Sequence, residues 1–236
     1  MNTDRKKQLE KFIGVLGLPS FHNLLILDQA LTHSSYANEN KAKHGYYNER
    51  LEFLGDAILD LVVGEYLFLQ YPHMPEGELS KARASVVSEA PLAAVCAKFG
   101  MGEYILLGKG ESASGGRMRA SILADAFEAV VGALYIDSSY QEAQKFILHQ
   151  LKDYLALVAS GDYGKDYKTL FQEFVQRDGE QHISYRLCRE EGPDHDKTFY
   201  MQVVVNGLVL GEGSGKSKKG AEQHAAHEAL KQLHAL

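Results

Sequence analysis

Apolar spacing changes its period once along this chain, near residue 158, and that change limits the fold more than any other feature. Before it, apolar residues recur at intervals of three and four, most clearly over 49–71, 79–99, 119–136 and 139–158. That period belongs to amphipathic helices. Strand-like alternation is weak there. Gly100 and Gly161 are placed to stop helices, and Pro72 and Pro75 mark a turn. After the change the order reads helix, strand, strand, strand, helix. Asp166 can cap a helix running to Gln176, with Gly179 just beyond it. In HISYRLCRE, Ile183, Tyr185 and Leu187 share a face. In TFYMQVVV, Phe199, Met201, Val203 and Val205 do the same. Asn206-Gly207 between two alternating runs is a two-residue hairpin signal. LVLGEG continues as a third strand, and an Ala-rich helix closes the chain. The fold expected is a mainly α domain over 1–158, a linker over 159–165, and a small α+β domain (α-β-β-β-α) over 166–236.

Charge says where a partner could bind. The 236 residues carry 25 Lys+Arg against 31 Asp+Glu, a net charge of −6. Residues 1–154 account for −4 and residues 166–236 for −2, so neither half is basic overall. A strongly basic nucleic-acid coat protein is excluded, and any nucleic-acid contact must be focused in a patch. The two cysteines, Cys96 and Cys188, form no CxxC pair; they read as small buried groups in a reducing compartment such as the cytoplasm. The charged start MNTDRKKQLEKF has no apolar core of a signal peptide. Asp60 and Glu65 interrupt the longest apolar run, so no transmembrane helix and no membrane partner are expected.

The chemistry concentrates in two helical segments. In NERLEFLGDAILDLV (48–62), Glu49, Glu52, Asp56 and Asp60 fall on one stripe roughly 80° wide. Leu51, Leu54, Ile58, Leu61 and Val62 take the other side. A solvated helix face accounts for such a stripe. Like charges at neighbour spacing repel, however, by a few tenths of a kcal/mol per pair, which favours a cation beside them. In SILADAFEAVVGALYID (121–137), Asp125 and Glu128 stand among apolar residues. Buried carboxylates are costly unless paired or metal-bound, so either Arg117 or Arg119 pairs with them or a metal does. Oxygen-only ligand sets favour hard ions, Mg²⁺ or Mn²⁺ rather than zinc. On chemistry alone this is an Mg²⁺-dependent phosphoryl hydrolase or nuclease.

The small domain offers a polyanion site. Lys216, Lys218 and Lys219 sit at a helix start, where cations oppose the macrodipole. Either they form a solvated charge run or an external polyanion draws them there. A P-loop is excluded, because its first glycine would fall on Leu210. On the first helix of this domain, Leu170, Phe171, Phe174 and Val175 point to the core; Thr169, Gln172, Glu173 and Gln176 form the opposite face. Such groups suit the 2′-hydroxyls of a shallow RNA minor groove, or simply solvent. Pro193 and His195 in EEGPDHDK could add a second groove contact.

These segments together resemble the ribonuclease III family. NERLEFLGDAILDLV resembles the signature of its endonuclease domain. ALTHSSYANE (30–39), PEGELSKARASVVS (75–88) and GGRMRASILADAFEAVVGALYID (115–137) are similar to its other motifs, in order. The last 70 residues resemble its double-stranded-RNA-binding domain, down to GSGKSKKGAEQHAAHEAL. The resemblance implies an endoribonuclease domain over 1–158 and a double-stranded-RNA-binding domain over 166–236. It implies Mg²⁺, with Mn²⁺ able to substitute, held by Glu52, Asp125 and Glu128, while Asp56 and Glu128 support water attack on the phosphodiester. Glu49 and Glu76 match accessory acidic positions near the site and subunit interface; Asp60 matches no family ligand. It also implies a homodimer with an apolar surface along Leu51, Phe53 and Leu54, products with 5′-phosphates and two-nucleotide 3′ overhangs, and precursor ribosomal RNA and structured mRNA as substrates. Lys216, Lys218 and Lys219 would then straddle phosphates. Thr169, Gln172 and Glu173 would meet one minor groove, and Pro193 and His195 the next. His33 reads as packed or hydrogen-bonded.

Overall fold

The computed structural model describes residues 1–18, 21–40, 45–159, 163, 167–179, 181–192, 197–215 and 217–235. The chain folds as two units, Met1–Gly164 and Lys165–Leu236. The described parts of the first unit contain ten α-helices: α1 (Thr3–Leu16), α2 (Leu24–Ala30), α3 (Ser34–Glu39), α4 (Glu49–Gln70), α5 (Glu76–Val87), α6 (Glu89–Lys98), α7 (Lys109–Ala113), α8 (Ala120–Asp137), α9 (Tyr140–Gln150) and α10 (Lys152–Ala159). The second holds α11 (Tyr167–Val175), β1 (Ile183–Glu191), β2 (Thr198–Val205), β3 (Leu208–Gly215) and α12 (Lys218–Gln232). The mainly α unit and the α-β-β-β-α unit are both present.

In the first unit α8 is the central element. Ile122, Leu123, Ala126, Phe127, Ala129, Val130, Val131 and Leu134 are all buried on it, so it is wrapped on nearly every side. Its closest neighbour is α4, and two glycines set their separation. A Cβ on Gly55 would stand 1.8 Å from the Glu128 carbonyl oxygen, and one on Gly132 would stand 2.3 Å from the Leu51 carbonyl oxygen. The pairs 55/128 and 51/132 run in opposite senses, so the helices cross antiparallel in backbone contact.

Two of the expected helical stretches are broken. The 79–99 stretch is α5 and α6, with Ser88 extended between them (φ −73°, ψ 163°). Pro91 explains the break: its ring would clash with the carbonyl four residues back in a continuous helix, but it is tolerated in the first turn of α6. The 139–158 stretch is α9 and α10, meeting at Leu151. Gly100 does end α6, with a left-handed φ of 58°.

In the second unit β1-β2-β3 form an antiparallel meander. Asn206 (φ 49°) and Gly207 (φ 86°) make the tight turn that joins Val205 to Leu208. Met201, Val203 and Val205 are buried, as their alternation requires. Val203 and Val205 pack with Tyr167, Phe171, Ala225, Ala226, Ala229 and Leu230 of the helices. Leu170 differs from the expectation: it is exposed, and Tyr167 takes its place in the core. On β3 the alternate glycines are a packing surface. Cβ atoms on Gly211 and Gly213 would lie 2.4 Å and 2.2 Å from the Ala225 backbone, so only glycine lets α12 lie this close. Asp166 and Gly161 lie outside the described residues.

Candidate active site and nucleic-acid interface

The glycine contact between α4 and α8 brings the two acidic segments face to face. Glu52 and Asp56 flank Gly55 on α4; Asp125 and Glu128 lie on the facing part of α8. Their mutual field shows that they share a site. Glu128 is pushed up to about 8, first by burial and then by Asp56, Asp125, Glu52 and Asp60. Glu52 is raised by burial and then by Asp125, Glu49 and Asp56. Asp125 is raised by burial, with Glu89 adding to the rise and His33 opposing it.

The arginines that could have neutralised this cluster are engaged elsewhere. Arg117 Nη1 donates to the carbonyl oxygens of Gly102 (2.7 Å) and Ile105 (3.0 Å). Arg119 pairs with Glu111. Asp60 pairs with Arg83 at 3.5 Å, which makes it a structural acid at the edge of the stripe. Among the described residues, no Lys or Arg pairs with Glu52, Asp56, Asp125 or Glu128, and His33 offsets only the charge at Asp125. Four carboxylates in one field without a lysine or arginine is an arrangement that a divalent ion would stabilise.

The start of α4 is held by the ALTHSSYANE segment. The Thr32 carbonyl accepts the backbone N–H of buried Asn48 (2.9 Å), just before α4. The same segment grips the loop after residue 104. Leu106 N–H donates to Leu31 O (2.8 Å), His33 N–H to Leu106 O (3.0 Å), and Gly108 N–H to Ser35 Oγ (2.9 Å). His33 caps α3, its Nδ1 accepting from Ser35 N–H (3.2 Å). Its ring also contributes positive potential at Asp125. Neither Glu89 nor the two glycines of the crossing stand out in the sequence as site residues. A glycine on each acidic helix is the signal that could have found the crossing.

Glu49 and Glu76 part company. Glu49 is exposed on the first turn of α4 and acts on Glu52. Glu76 opens α5, accepts a hydrogen bond from Ser80 Oγ (3.0 Å), and is not among the charges that raise Glu52, Asp125 and Glu128.

In the second unit, Thr169, Gln172 and Glu173 are exposed together on α11, and Gln172 Nε2 donates to Gln176 Oε1 (3.3 Å). Lys218 and Lys219 are exposed in the first turn of α12, which Ser217 caps through Gly220 N–H (3.0 Å). Lys218 lies 3.9 Å from Glu190, a loose pair with 60% of the lysine side chain exposed. Lys216, Pro193 and His195 lie outside the described residues.

A family model described as "Ribonuclease-III-like" matches residues 23–155, and a "Double-stranded RNA binding motif" matches residues 167–233. The chain is 48% identical over 235 residues to Ribonuclease 3 of Enterococcus faecalis, covering 99% of each chain. The chain belongs to the ribonuclease III family. Ribonuclease 3 of Borreliella burgdorferi is 47% identical over 231 residues, covering 98% of this chain and 93% of its own. The solved nuclease domain of ribonuclease III from Campylobacter jejuni is 40% identical, with a TM-score of 0.57, and covers 62% of this chain and 97% of that one. Its description concerns structural flexibility in a region involved in dimer formation. The chain is thus an endoribonuclease of the ribonuclease III family, with a nuclease domain followed by a double-stranded-RNA-binding domain. None of its helices is long and apolar enough to cross a membrane among the described residues.

As a ribonuclease III, the chain needs donors for a metal, and the donor set fits a hard divalent ion: four carboxylates and no sulfur or arginine. No three of the four bring one oxygen each within 4.8 Å of one another. Ligation therefore requires the side chains, mutually repelling and only partly buried, to turn inward onto the ion.

Proposed function

We propose that this chain is a homodimeric endoribonuclease that uses Mg²⁺, or Mn²⁺ in its place, to cut both strands of an RNA duplex in the cytoplasm. Precursor ribosomal RNA stems and structured mRNA are its substrates. The observation that carries the reading is the uncompensated carboxylate cluster at the glycine crossing, with Glu128 held up to about 8. Glu52, Asp125 and Glu128 would hold the ion. The ion, when bound, stabilises charge on the phosphate oxygens and lowers the pKa of a bound water. Asp56 and Glu128 orient the attacking water. The water oxygen bonds to phosphorus, the P–O3′ bond breaks in line, and the proton goes to the leaving 3′-oxygen, so the product carries a 5′-phosphate. Glu49 and Glu76 add negative charge at the border of the site and the subunit interface.

Support for the dimer comes from α4. Phe53 is 79% exposed, and Leu61 and Phe68 are exposed within an arc of about 80° from it. An apolar stripe beside the site is suited to a second copy. Leu51, expected on that surface, is buried in the core, so the stripe begins at Phe53. Two copies supply the two sites that cutting both strands needs. Thr169, Gln172 and Glu173 face one minor groove, Pro193 and His195 the next, and Lys216, Lys218 and Lys219 the phosphates between.

The test is product mapping. A perfect RNA duplex, 5′-labelled on either strand, is incubated with protein and Mg²⁺, beside a DNA duplex of the same sequence. RNA-only cleavage leaving two-nucleotide 3′ overhangs and 5′-phosphates is expected. Binding without cleavage in both Mg²⁺ and Mn²⁺ would make the chain an RNA-binding regulator instead.

A further inference from the structure

A second group of ligand atoms lies far along the sequence from the carboxylates, on α12 beyond its lysines. His224, His227 and Glu228 place one donor atom each within 4.8 Å of one another. Spacings of three and four residues put them on one helix face. His227 Nδ1 is 3.3 Å and His224 Nε2 3.9 Å from Glu228 Oε1. The remaining nitrogen of His224, Nδ1, lies 3.2 Å from both the carbonyl oxygen and the backbone N–H of Ser214 on β3. Two tautomers fit these contacts: with Nδ1 accepting from Ser214 N–H, Nε2 carries the proton toward Glu228, and with Nδ1–H donating to the carbonyl, Nε2 turns its lone pair there, the form that an ion would select. A ligating histidine is held in this way when its second nitrogen donates to a backbone carbonyl.

We infer that His224, His227 and Glu228 form a binding site for a divalent transition ion of the zinc type, separate from the nuclease carboxylates. Two imidazoles and one carboxylate are the donors of open zinc sites, and imidazole is a poor ligand for Mg²⁺. Water would fill the remaining positions, since His224 is half exposed. Lys231, 3.5 Å from the same Glu228 oxygen, is a competitor that the ion displaces; the lysine is exposed and can swing away. The tilted contact of the His227 ring with Tyr167, centroids 4.4 Å apart, ties the site to the core of this unit. A bound ion would therefore fasten α12 to β3 through His224 and brace the helix that carries Lys218 and Lys219.

The experiment is a Zn²⁺ titration of the 236-residue chain in a large excess of Mg²⁺, against a chromophoric chelator, with thermal unfolding read in parallel. His224→Asn, Glu228→Gln and Cys188→Ser are compared with the unmodified chain. The first two change side chains that are half exposed or reach solvent, so folding is retained and far-ultraviolet circular dichroism verifies it. One Zn²⁺ per chain in the unmodified protein is expected, with a rise in Tm. Affinity should fall at least about tenfold in His224→Asn and in Glu228→Gln. Cys188→Ser should bind as the unmodified chain does. Cys188 is the control because it is exposed and lines the same surface hollow as His224. Absence of Zn²⁺ binding under these conditions overturns the inference. So does equal affinity in His224→Asn, or loss confined to Cys188→Ser.

Discussion

Glu128 links stability to metal and pH at the scale of one residue. Its folded-state pKa, about 8, lies above its ordinary 4.5. Below the ordinary value, folded and unfolded chains both hold the proton. Between the two values the unfolded chain releases it and the folded chain keeps it. The stability contributed by the protonated carboxyl is therefore lost as pH rises through 8. The Tm of metal-free protein should fall from about pH 5 to about pH 9, and Glu128→Gln should flatten that fall and raise Tm at the alkaline end. Adding Mg²⁺ at alkaline pH should raise the Tm of the unmodified protein and leave Glu128→Gln less affected. Calorimetry over the pH series checks both, and a Tm of unmodified metal-free protein that is flat or rising with pH contradicts them. Cys96 shows how a residue type can be read correctly in one copy and not the other. Cys96 is buried, donating to the Leu123 carbonyl (3.1 Å), as a small core group should. Cys188 is exposed on β1. Alternation in HISYRLCRE puts it on the solvent face, and the general preference of cysteine for burial is the weaker guide.

At the scale of elements, two glycine contacts position the chemistry. The Gly55 Cα faces the Glu128 carbonyl, so Gly55→Ala must push α4 off α8 and move Glu52 and Asp56 from their partners. Overpacking of this kind costs about 1–3 kcal/mol, and the displacement should abolish cleavage while the separate RNA-binding unit retains its affinity for duplex RNA. Gly213→Ala should do the reverse. It lifts α12 from β3, weakens RNA binding, and leaves the unfolding of the nuclease unit unchanged by calorimetry. These contacts also mark what the sequence could and could not disclose. The helices and strands were legible because burial in both units follows the periods of 3.6 and 2. The four carboxylates were legible because charge on a helix among apolar residues is costly enough to demand a reason. The crossing was not, since a glycine inside a helix says that something approaches but not what. The split at Ser88 is hidden because the apolar spacing continues across it, and Pro91 is its only local mark. Leu170 is exposed because, on a helix of nine residues, period alone does not fix which apolar residues face the core.

At the scale of the whole molecule, the proposed function needs two nuclease units and a sequence-tolerant RNA grip. Phe53→Asp should convert the dimer to a monomer by sedimentation and remove paired double-strand cuts, because a charge at the centre of an apolar interface remains unpaired. Unchanged sedimentation would move the interface off α4. Duplex affinity should fall steeply with salt, and Lys219→Ala should lower the slope of log K against log salt by about one. The central claim is that the carboxylates at the crossing of α4 and α8 perform the cleavage while other residues bind the RNA. Its most direct test measures duplex affinity and cleavage rate together, in Mg²⁺, for the unmodified chain and Glu128→Gln. Unchanged affinity with cleavage reduced at least ~100-fold is expected. Cleavage at the unmodified rate by Glu128→Gln would contradict it.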